Sequence, residues 1–170
     1  ITRPTLVALL GVRGAGKTAV GRGLAERLSV PFVELDARIE ALSGLSLAEI
    51  FAVHGESYYR RIEFEALNEV FRAGDAAVIA TGGGLVTDER NFNRLRQQAT
   101  TVWLKATAED HWDRVIQQGD RRPMRDHPQA MAELRTLLAE RSPLYGLADH
   151  IIATSDRSVE EIINEIAQFF

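Results

Sequence analysis

Short apolar runs alternate along the chain with longer segments that repeat apolar residues every three or four positions. The short runs predict β-strands and the longer segments predict amphipathic helices. The predicted strands cover residues 5–10, 31–35, 76–80, 100–104 and 150–153. The predicted helices cover residues 18–28, 36–42, 47–53, 56–72, 88–98, 109–118, 129–144 and 158–170. This alternation favours one α/β domain over residues 1–170, in which five parallel strands carry helices on both faces as three layers.

Residues 119–128 interrupt the alternation with the polar sequence GDRRPMRDHP, which contains two prolines and no repeat of apolar positions. Polar, proline-punctuated sequence of this kind is typical of a surface loop. We therefore predict a mobile loop between two helices, placed to close over a bound ligand and exclude water.

A glycine-rich segment follows the first predicted strand and opens the first predicted helix. Residues 11–18 read GVRGAGKT, which matches the pattern G-x-x-x-x-G-K-[ST] in the strand-to-helix context that this motif requires. Glycines let successive backbone N–H groups and the positive end of a helix surround a polyphosphate. Lys17 is expected to reach the β- and γ-phosphates of a bound nucleotide, and Thr18 to hold Mg²⁺. The predicted nucleotide-binding residues are Gly11, Gly14, Ala15, Gly16, Lys17 and Thr18.

Acidic and glycine residues follow the second and third predicted strands. Glu34 and Asp36 end the second strand, and Gly82, Gly83 and Gly84 end the third. The carboxyl ends of parallel strands meet at one edge of a sheet, and strands two and three are expected beside the first. These residues should therefore face the γ-phosphate, where phosphoryl transfer requires an oriented hydroxyl group.

Three arginines complete the pattern of candidate site residues. Arg60 lies on the predicted helix 56–72, Arg122 in the 119–128 loop, and Arg141 near the end of the helix 129–144. The planar guanidinium groups of Arg60 and Arg141 match a carboxylate with two hydrogen bonds each. Arg122 would neutralise charge on the transferring phosphoryl group.

Each candidate also has an ordinary structural interpretation. Asp36 suits the N-cap of the helix that follows it. Arg60 would pair with glutamates of its own helix along a solvated face. Arg141 would bind a nearby acid or the carbonyl groups at its helix end. Glycines 82–84 would form a strand exit, and Arg122 a solvated loop residue.

Composition and charge exclude several classes of protein. The 170 residues carry a net charge of −4, so the chain has no basic excess for binding a nucleic-acid backbone. There is no cysteine for a thiolate metal site or a disulfide. No apolar run approaches the roughly 18 residues of a membrane helix, and a cytoplasmic protein is expected. Because the chain opens at Ile1 without an initiator methionine, we expect a piece of a longer polypeptide.

Taken together and in this order, the motifs resemble those of the shikimate kinase family over nearly the whole chain. That family consists of small P-loop kinases in the nucleoside-monophosphate-kinase structural group, with a five-stranded parallel sheet and a mobile lid. The resemblance implies an enzyme of aromatic amino acid biosynthesis. It would transfer the γ-phosphate of ATP to the 3-hydroxyl of shikimate, with Mg²⁺.

The resemblance also implies roles for individual residues. Asp36 matches the acid that binds the acceptor hydroxyl groups and takes the proton. Arg60 and Arg141 match the arginines that hold the shikimate carboxylate, and glycines 82–84 match those that let backbone N–H groups approach the substrate. The catalytic residues would be Lys17, Asp36 and the lid arginine Arg122. Arg114 lies near the place of the arginine that stacks on adenine, and Glu34 replaces the usual first aspartate beside the metal.

Four stretches of sequence also resemble another branch of this family, the kinase-like C-terminal domain of helix-turn-helix regulators of the XRE type. The stretches are residues 80–84, 101–106, 111–115 and 118–124. That branch implies an effector domain that senses benzoyl-CoA, with the DNA-binding module upstream and no direct nucleic-acid contact by this segment. A third hypothesis is a related kinase acting on another carboxylate, such as gluconate.

Overall fold

The five predicted strands form one parallel sheet in the computed structural model, which describes residues 5–117 and 129–170, without the side chains of 114–117. The strands are β1 (Leu6–Leu10), β2 (Phe32–Glu34), β3 (Ala77–Ala80), β4 (Thr100–Lys105) and β5 (His150–Ala153). All neighbouring pairs are parallel. The prediction of a five-stranded parallel α/β fold is therefore confirmed.

Strand β1 occupies the centre of the sheet, whose order is β2-β3-β1-β4-β5. The expectation that strand two lies beside the first is wrong, because β3 separates β2 from β1. The chain passes from β1 to the edge strand β2, returns to β3, and then crosses β1 to reach β4 and β5. The connections that leave β1 and β3 therefore run in opposite directions, and the winding reverses between these two neighbouring strands. In open α/β sheets, ligands bind in the crevice at such a reversal, outside the carboxyl ends of the strands.

The helices lie close to their predicted positions. Their observed bounds are α1 (Lys17–Leu28), α2 (Leu35–Ser43), α3 (Leu47–Val53), α4 (Glu56–Ala73), α5 (Glu89–Gln98), α6 (Ala108–Gln117), α7 (Ala130–Tyr145) and α8 (Val159–Ala167). A short 3₁₀ turn, Leu85–Thr87, was not predicted, and the last helix ends three residues earlier than expected. The predicted loop at 119–128 lies outside the described residues.

Two apolar layers cover the two faces of the sheet. On one face, buried residues of α1 and α8 such as Leu24 and Ile166 pack against Leu9. On the other face, α2 to α5 supply buried residues such as Ile39 and Leu67. Within the described parts of the chain, no helix is both long and apolar enough to span a membrane. The layered packing holds the carboxyl ends of β1, β2 and β3 side by side, and the candidate site lies there.

Candidate active site

The glycine-rich segment forms a tight turn between β1 and α1. Gly11, Gly14 and Gly16 have φ angles of 152°, 83° and 92°, which residues with side chains rarely adopt. A Cβ atom on Gly11 would lie 2.9 Å from the Cβ of Ala15, so the turn closes too tightly for any side chain at that position. Helix α1 begins directly after Gly16 and directs its first backbone N–H groups at the turn. The turn therefore forms a cradle for an anion.

Lys17 lies in this cradle, and among the described residues the hydrogen bonds of its amine go to backbone carbonyl groups. The Nζ atom donates to the carbonyl oxygens of Gly11 and Val12. Burial lowers the pKa of Lys17 to about 8, an effect that the nearby charge of Asp36 opposes and that of Arg141 adds to. A buried cation beside other cations favours an incoming anion. Lys17 therefore suits a phosphate group.

Thr18 and Glu34 approach each other across the start of α1 and the end of β2. The Thr18 hydroxyl donates to the Oε1 atom of Glu34 at 2.9 Å. Hydroxyl and carboxylate oxygens are ligands that Mg²⁺ prefers. The fold thus brings together the two residues predicted to bind the metal. The side chain of Glu34, which is longer than that of an aspartate, reaches the Thr18 hydroxyl.

Asp36 lies in the first turn of α2 and accepts a hydrogen bond from the hydroxyl of Tyr59, with 2.8 Å between the two oxygens. The alternative role of Asp36 as a helix cap is wrong, because the N-cap position is Glu34 and α2 begins one residue earlier than predicted. Burial raises the pKa of Tyr59, and the negative charge of Asp36 raises it further. The phenol therefore stays protonated and donates its hydrogen to Asp36.

The glycine turn after β3, residues 82–84, lies against several candidate side chains. A Cβ atom added to Gly82 would lie 3.2 Å from the Oδ1 atom of Asp36. One on Gly83 would lie 3.5 Å from Nη1 of Arg141, and one on Gly84 only 2.6 Å from Nη2 of Arg60. The turn is a strand exit, as the structural interpretation held, but its lack of side chains also lets a carboxylate and two guanidinium groups approach the backbone.

Arg60 is held on α4 by two glutamates. Its Nη1 atom donates to both carboxylate oxygens of Glu63 at 3.1 Å, and its Nη2 atom to Glu56 at 3.4 Å. The predicted pairing on the helix is present, but the face is not solvated, because the Arg60 side chain is 15% exposed and that of Glu63 is 0% exposed. Its guanidinium also lies over the Tyr59 ring, 4.9 Å from the centroid. Arg60 is therefore fixed in place beside the turn.

Arg141 extends from α7 to the same turn. Its Nη1 atom donates to the carbonyl oxygen of Gly83 at 2.9 Å, and the Tyr145 hydroxyl donates to the same oxygen at 2.6 Å. The Tyr145 ring stacks on Trp103, with 5.4 Å between the centroids. Arg141 thus binds a carbonyl of the glycine turn and not one at its own helix end.

A cavity of about 630 Å³ lies between the cradle and the glycine turn. Nucleotide candidates and three of the acceptor candidates, Asp36, Gly82 and Gly83, line this cavity. Arg60 lines a separate cavity of about 450 Å³. The site residues predicted from the sequence that line the cavity of about 630 Å³ are Gly14, Ala15, Gly16, Lys17, Thr18, Glu34, Asp36, Gly82 and Gly83. Arg122 and the Arg114 side chain lie outside what the structure describes.

Three residues of the site were not among the predicted functional residues: Tyr59, Glu63 and Tyr145. The sequence did indicate that Glu63 lies beside Arg60, because it follows Arg60 by three positions and so shares its helix face. Tyr59 and Tyr145 meet their partners 23 and 62 positions away in the sequence. No local spacing predicts such contacts, which depend on how the helices pack.

Comparison with known proteins identifies relatives over almost the full chain. The family model described as shikimate kinase matches residues 13–170. The shikimate kinase of Symbiobacterium thermophilum is 44% identical over 164 residues, which cover 95% of this chain and 94% of the relative. That of Nitrobacter winogradskyi is 41% identical over 159 residues, covering 94% of this chain and 73% of the relative.

Solved structures agree with these relatives. A shikimate kinase from Acinetobacter baumannii, in complex with shikimate, has a TM-score of 0.85 and 35% identity, covering 98% of this chain and 92% of that one. A gluconokinase from Sinorhizobium meliloti has a TM-score of 0.62 at 17% identity, covering 99% of this chain and 92% of that one. The second likeness establishes the fold alone.

These relatives confirm the prediction of a small-molecule kinase of the P-loop class. They give no support to the branch of benzoyl-CoA-responsive regulators. The matched residues include the glycine cradle from position 13 onward, the turn after β3 and the helices that carry both arginines. The chain belongs to the shikimate kinase family.

Proposed function

We propose that this protein transfers the γ-phosphate of ATP to a hydroxyl group of shikimate, with Mg²⁺ as the metal. The observation that carries the proposal is the glycine turn after β3. Asp36, Arg60 and Arg141 all approach this turn, and a Cβ atom on Gly83 would lie 3.4 Å from the backbone nitrogen of Arg13 in the nucleotide cradle. One turn thus borders both an acid with a pair of arginines and a phosphate-binding loop.

The nucleotide half of the proposal rests on the cradle of residues 11–18. Its positive-φ glycines, its helix start and Lys17 fit the β- and γ-phosphates of ATP. Thr18 and Glu34 would hold Mg²⁺, which neutralises charge on the phosphate oxygens when it is bound. Arg122 and Arg114 remain proposed nucleotide contacts on the family pattern alone.

The acceptor half of the proposal rests on Asp36, Arg60 and Arg141. The two arginines would bind the shikimate carboxylate. Tyr59 occupies the Oδ1 atom of Asp36, which leaves Oδ2 to accept a hydrogen bond from the acceptor hydroxyl. As the bond between that hydroxyl oxygen and the γ-phosphorus forms, the bond from the γ-phosphorus to ADP breaks and the hydroxyl proton passes to Asp36.

The experiment is a titration of shikimate at saturating Mg-ATP, with ADP release as the readout. We expect saturable, shikimate-dependent turnover that disappears when Mg²⁺ is chelated. Binding of benzoyl-CoA is measured on the same sample. No turnover together with tight binding of benzoyl-CoA would refute the proposed function, and turnover with gluconate in place of shikimate would refute the proposed acceptor.

Replacing Gly84 with alanine should weaken binding of the acceptor selectively. The new Cβ atom would lie 2.6 Å from Nη2 of Arg60, so the guanidinium must shift. We expect the KM for shikimate to rise about 10-fold, which is the cost of one weakened charged hydrogen bond, while the KM for ATP stays within about twofold. Steady-state kinetics with each substrate varied in turn measures both constants.

Gly83→Ala provides the graded comparison for this variant. Its nearest contacts would be 3.4 Å or longer, which is ordinary van der Waals separation. The rise in KM for shikimate should therefore be smaller for Gly83→Ala than for Gly84→Ala. An equal rise in both variants, or a rise in the KM for ATP instead, would contradict the placement of Arg60 on the acceptor side.

A further inference from the structure

A buried asparagine on α5 contacts the helix that carries Arg60. Asn91 is 1% exposed. Its Nδ2 atom donates to the Oε1 atom of Glu63 at 2.7 Å and to the backbone carbonyl of Arg60 at 3.0 Å. Asn91 therefore joins α5 to α4 at the turn of helix from which Arg60 projects.

Glu63 is the middle member of this chain of hydrogen bonds. It is fully buried, and both of its oxygens accept from Nη1 of Arg60. Burial is the main cause that raises its pKa, and the charge of Asp36 adds to it, whereas Arg60 and the amide of Asn91 act in the opposite direction. Only the ionised carboxylate offers both oxygens to Arg60. The amide of Asn91 thus helps to keep Glu63 in the form that orients Arg60.

The chemistry at position 91 requires an amide in one orientation. Both groups that face Nδ2 are acceptors, so only an N–H donor satisfies them. The Oδ1 atom is buried without a hydrogen-bond partner among the described residues. An aspartate of the same shape would set a carboxylate against the carboxylate of Glu63, and a leucine would remove the amide donor and leave Arg60 as the donor to Glu63.

We propose that Asn91 is a positioning residue for binding of the acceptor carboxylate, acting on Arg60 through Glu63. The inference rests on the proposed function for the identity of the acceptor. Neither Asn91 nor Arg60 lines the cavity between the cradle and the glycine turn, and both line the separate cavity of about 450 Å³. Asn91 is almost fully buried there and donates its amide hydrogens to Glu63 and the Arg60 carbonyl. Its effect on catalysis is expected in the binding of shikimate and not in the binding of ATP.

The first test compares Asn91→Asp with Asn93→Asp, the same substitution two residues along the same helix at an exposed position. We expect the KM for shikimate to rise about 10-fold or more in Asn91→Asp, with the KM for ATP within about twofold, and no change in Asn93→Asp. Asn91→Leu serves as a second variant, since it removes the donor without adding a charge. A folded Asn91→Leu protein with an unchanged KM for shikimate would overturn the inference.

A double-mutant cycle with Glu63→Gln tests whether Asn91 acts through Glu63. Asn91→Leu should raise the KM for shikimate in the native background but have little further effect when residue 63 is glutamine. An equal rise in both backgrounds would show that Asn91 acts by another route, such as general loosening of α5, and would refute the proposed relay.

A third measurement is independent of the substrate and so separates this inference from the proposed function. The pKa of Glu63 is raised in the folded state, so the fold is favoured below the ordinary pKa of a glutamate and loses that stability as the pH rises through the raised pKa and Glu63 ionises. Removing the Asn91 donor increases the cost of the ionised form. Asn91→Leu should therefore lower the melting temperature more at pH 8 than at pH 5.

The other titratable groups that face Glu63 are Arg60 and Tyr59 on α4 and Asp36 on α2, and they are the same in both proteins compared. An equal loss of melting temperature at both pH values would refute the relay even if the native protein phosphorylates shikimate. The pH-dependent loss in a protein without shikimate turnover would retain the relay and refute only the proposed function.

Discussion

Replacing Lys17 with alanine is expected to lower kcat/KM for ATP by about 10³-fold or more. Loss of one charged group that faces the transferring phosphoryl typically has an effect of this size. Lys17 donates to the carbonyl oxygens of Gly11 and Val12 at the edge of the glycine cradle, and no other lysine lies in the cavity. ADP release measures the rate, and calorimetric titration of ATP measures binding.

The fold should tolerate this change. Burial lowers the pKa of Lys17 to about 8, which means that its surroundings disfavour the charged amine, so removing it should not lower the melting temperature at pH 7. Lys105 provides the control, because it is the chain's second lysine and is exposed at the end of β4. Lys105→Ala should retain normal turnover. Normal ATP binding and turnover in Lys17→Ala would contradict the placement of the phosphate site.

Replacing Arg60 with alanine is expected to raise the KM for shikimate by about 100-fold. A charged hydrogen bond contributes up to about 3 kcal/mol, and each 1.4 kcal/mol corresponds to a factor of ten. The KM for ATP should stay within about threefold, because Arg60 borders Gly84 and not the cradle. Kinetics with each substrate varied separately distinguishes the two constants.

Two further variants separate the binding role of Arg60 from its structural role. Arg60→Ala leaves Glu63 buried without its cation, which is itself destabilising. Arg60→Lys keeps the charge but loses the planar fork, so it should fold well and still raise the KM for shikimate. Arg61→Ala is the matched control, since Arg61 is the adjacent, exposed arginine on α4. If Arg60→Lys weakened ATP binding as much as shikimate binding, Arg60 would not be an acceptor residue.

The features that could be predicted from the sequence are those set by local spacing. The cradle needs glycines and a lysine within eight consecutive positions, and the strands are short apolar runs, so both are visible in the order of residues. The helix that begins at Leu35 was predicted one residue late, because β2 leads directly into α2 without a separate capping residue. That difference changes the role of Asp36 from a cap to a partner of Tyr59.

The contacts that could not be predicted join distant parts of the chain. Tyr59 reaches Asp36 because α4 packs against α2, and Asn91 reaches Glu63 because α5 packs against α4. Packing of this kind depends on the whole core and leaves no pattern within a single helix. The sequence therefore indicated Asp36, Arg60 and the pairing of Arg60 on its own helix, but not Tyr59 or Asn91, whose contacts cross from one helix to another.

The abrupt passage from β2 into α2 also bears on how the protein avoids association with other chains. Strand β2 pairs with β3 over three residues, and β5 at the opposite edge spans four. Unpaired backbone groups on a long, flat edge strand are a template on which another chain can add a strand. The direct entry of β2 into α2 at Leu35, which places Asp36 beside Tyr59, thus also keeps this edge strand to three residues, so it offers few unpaired backbone groups to another chain.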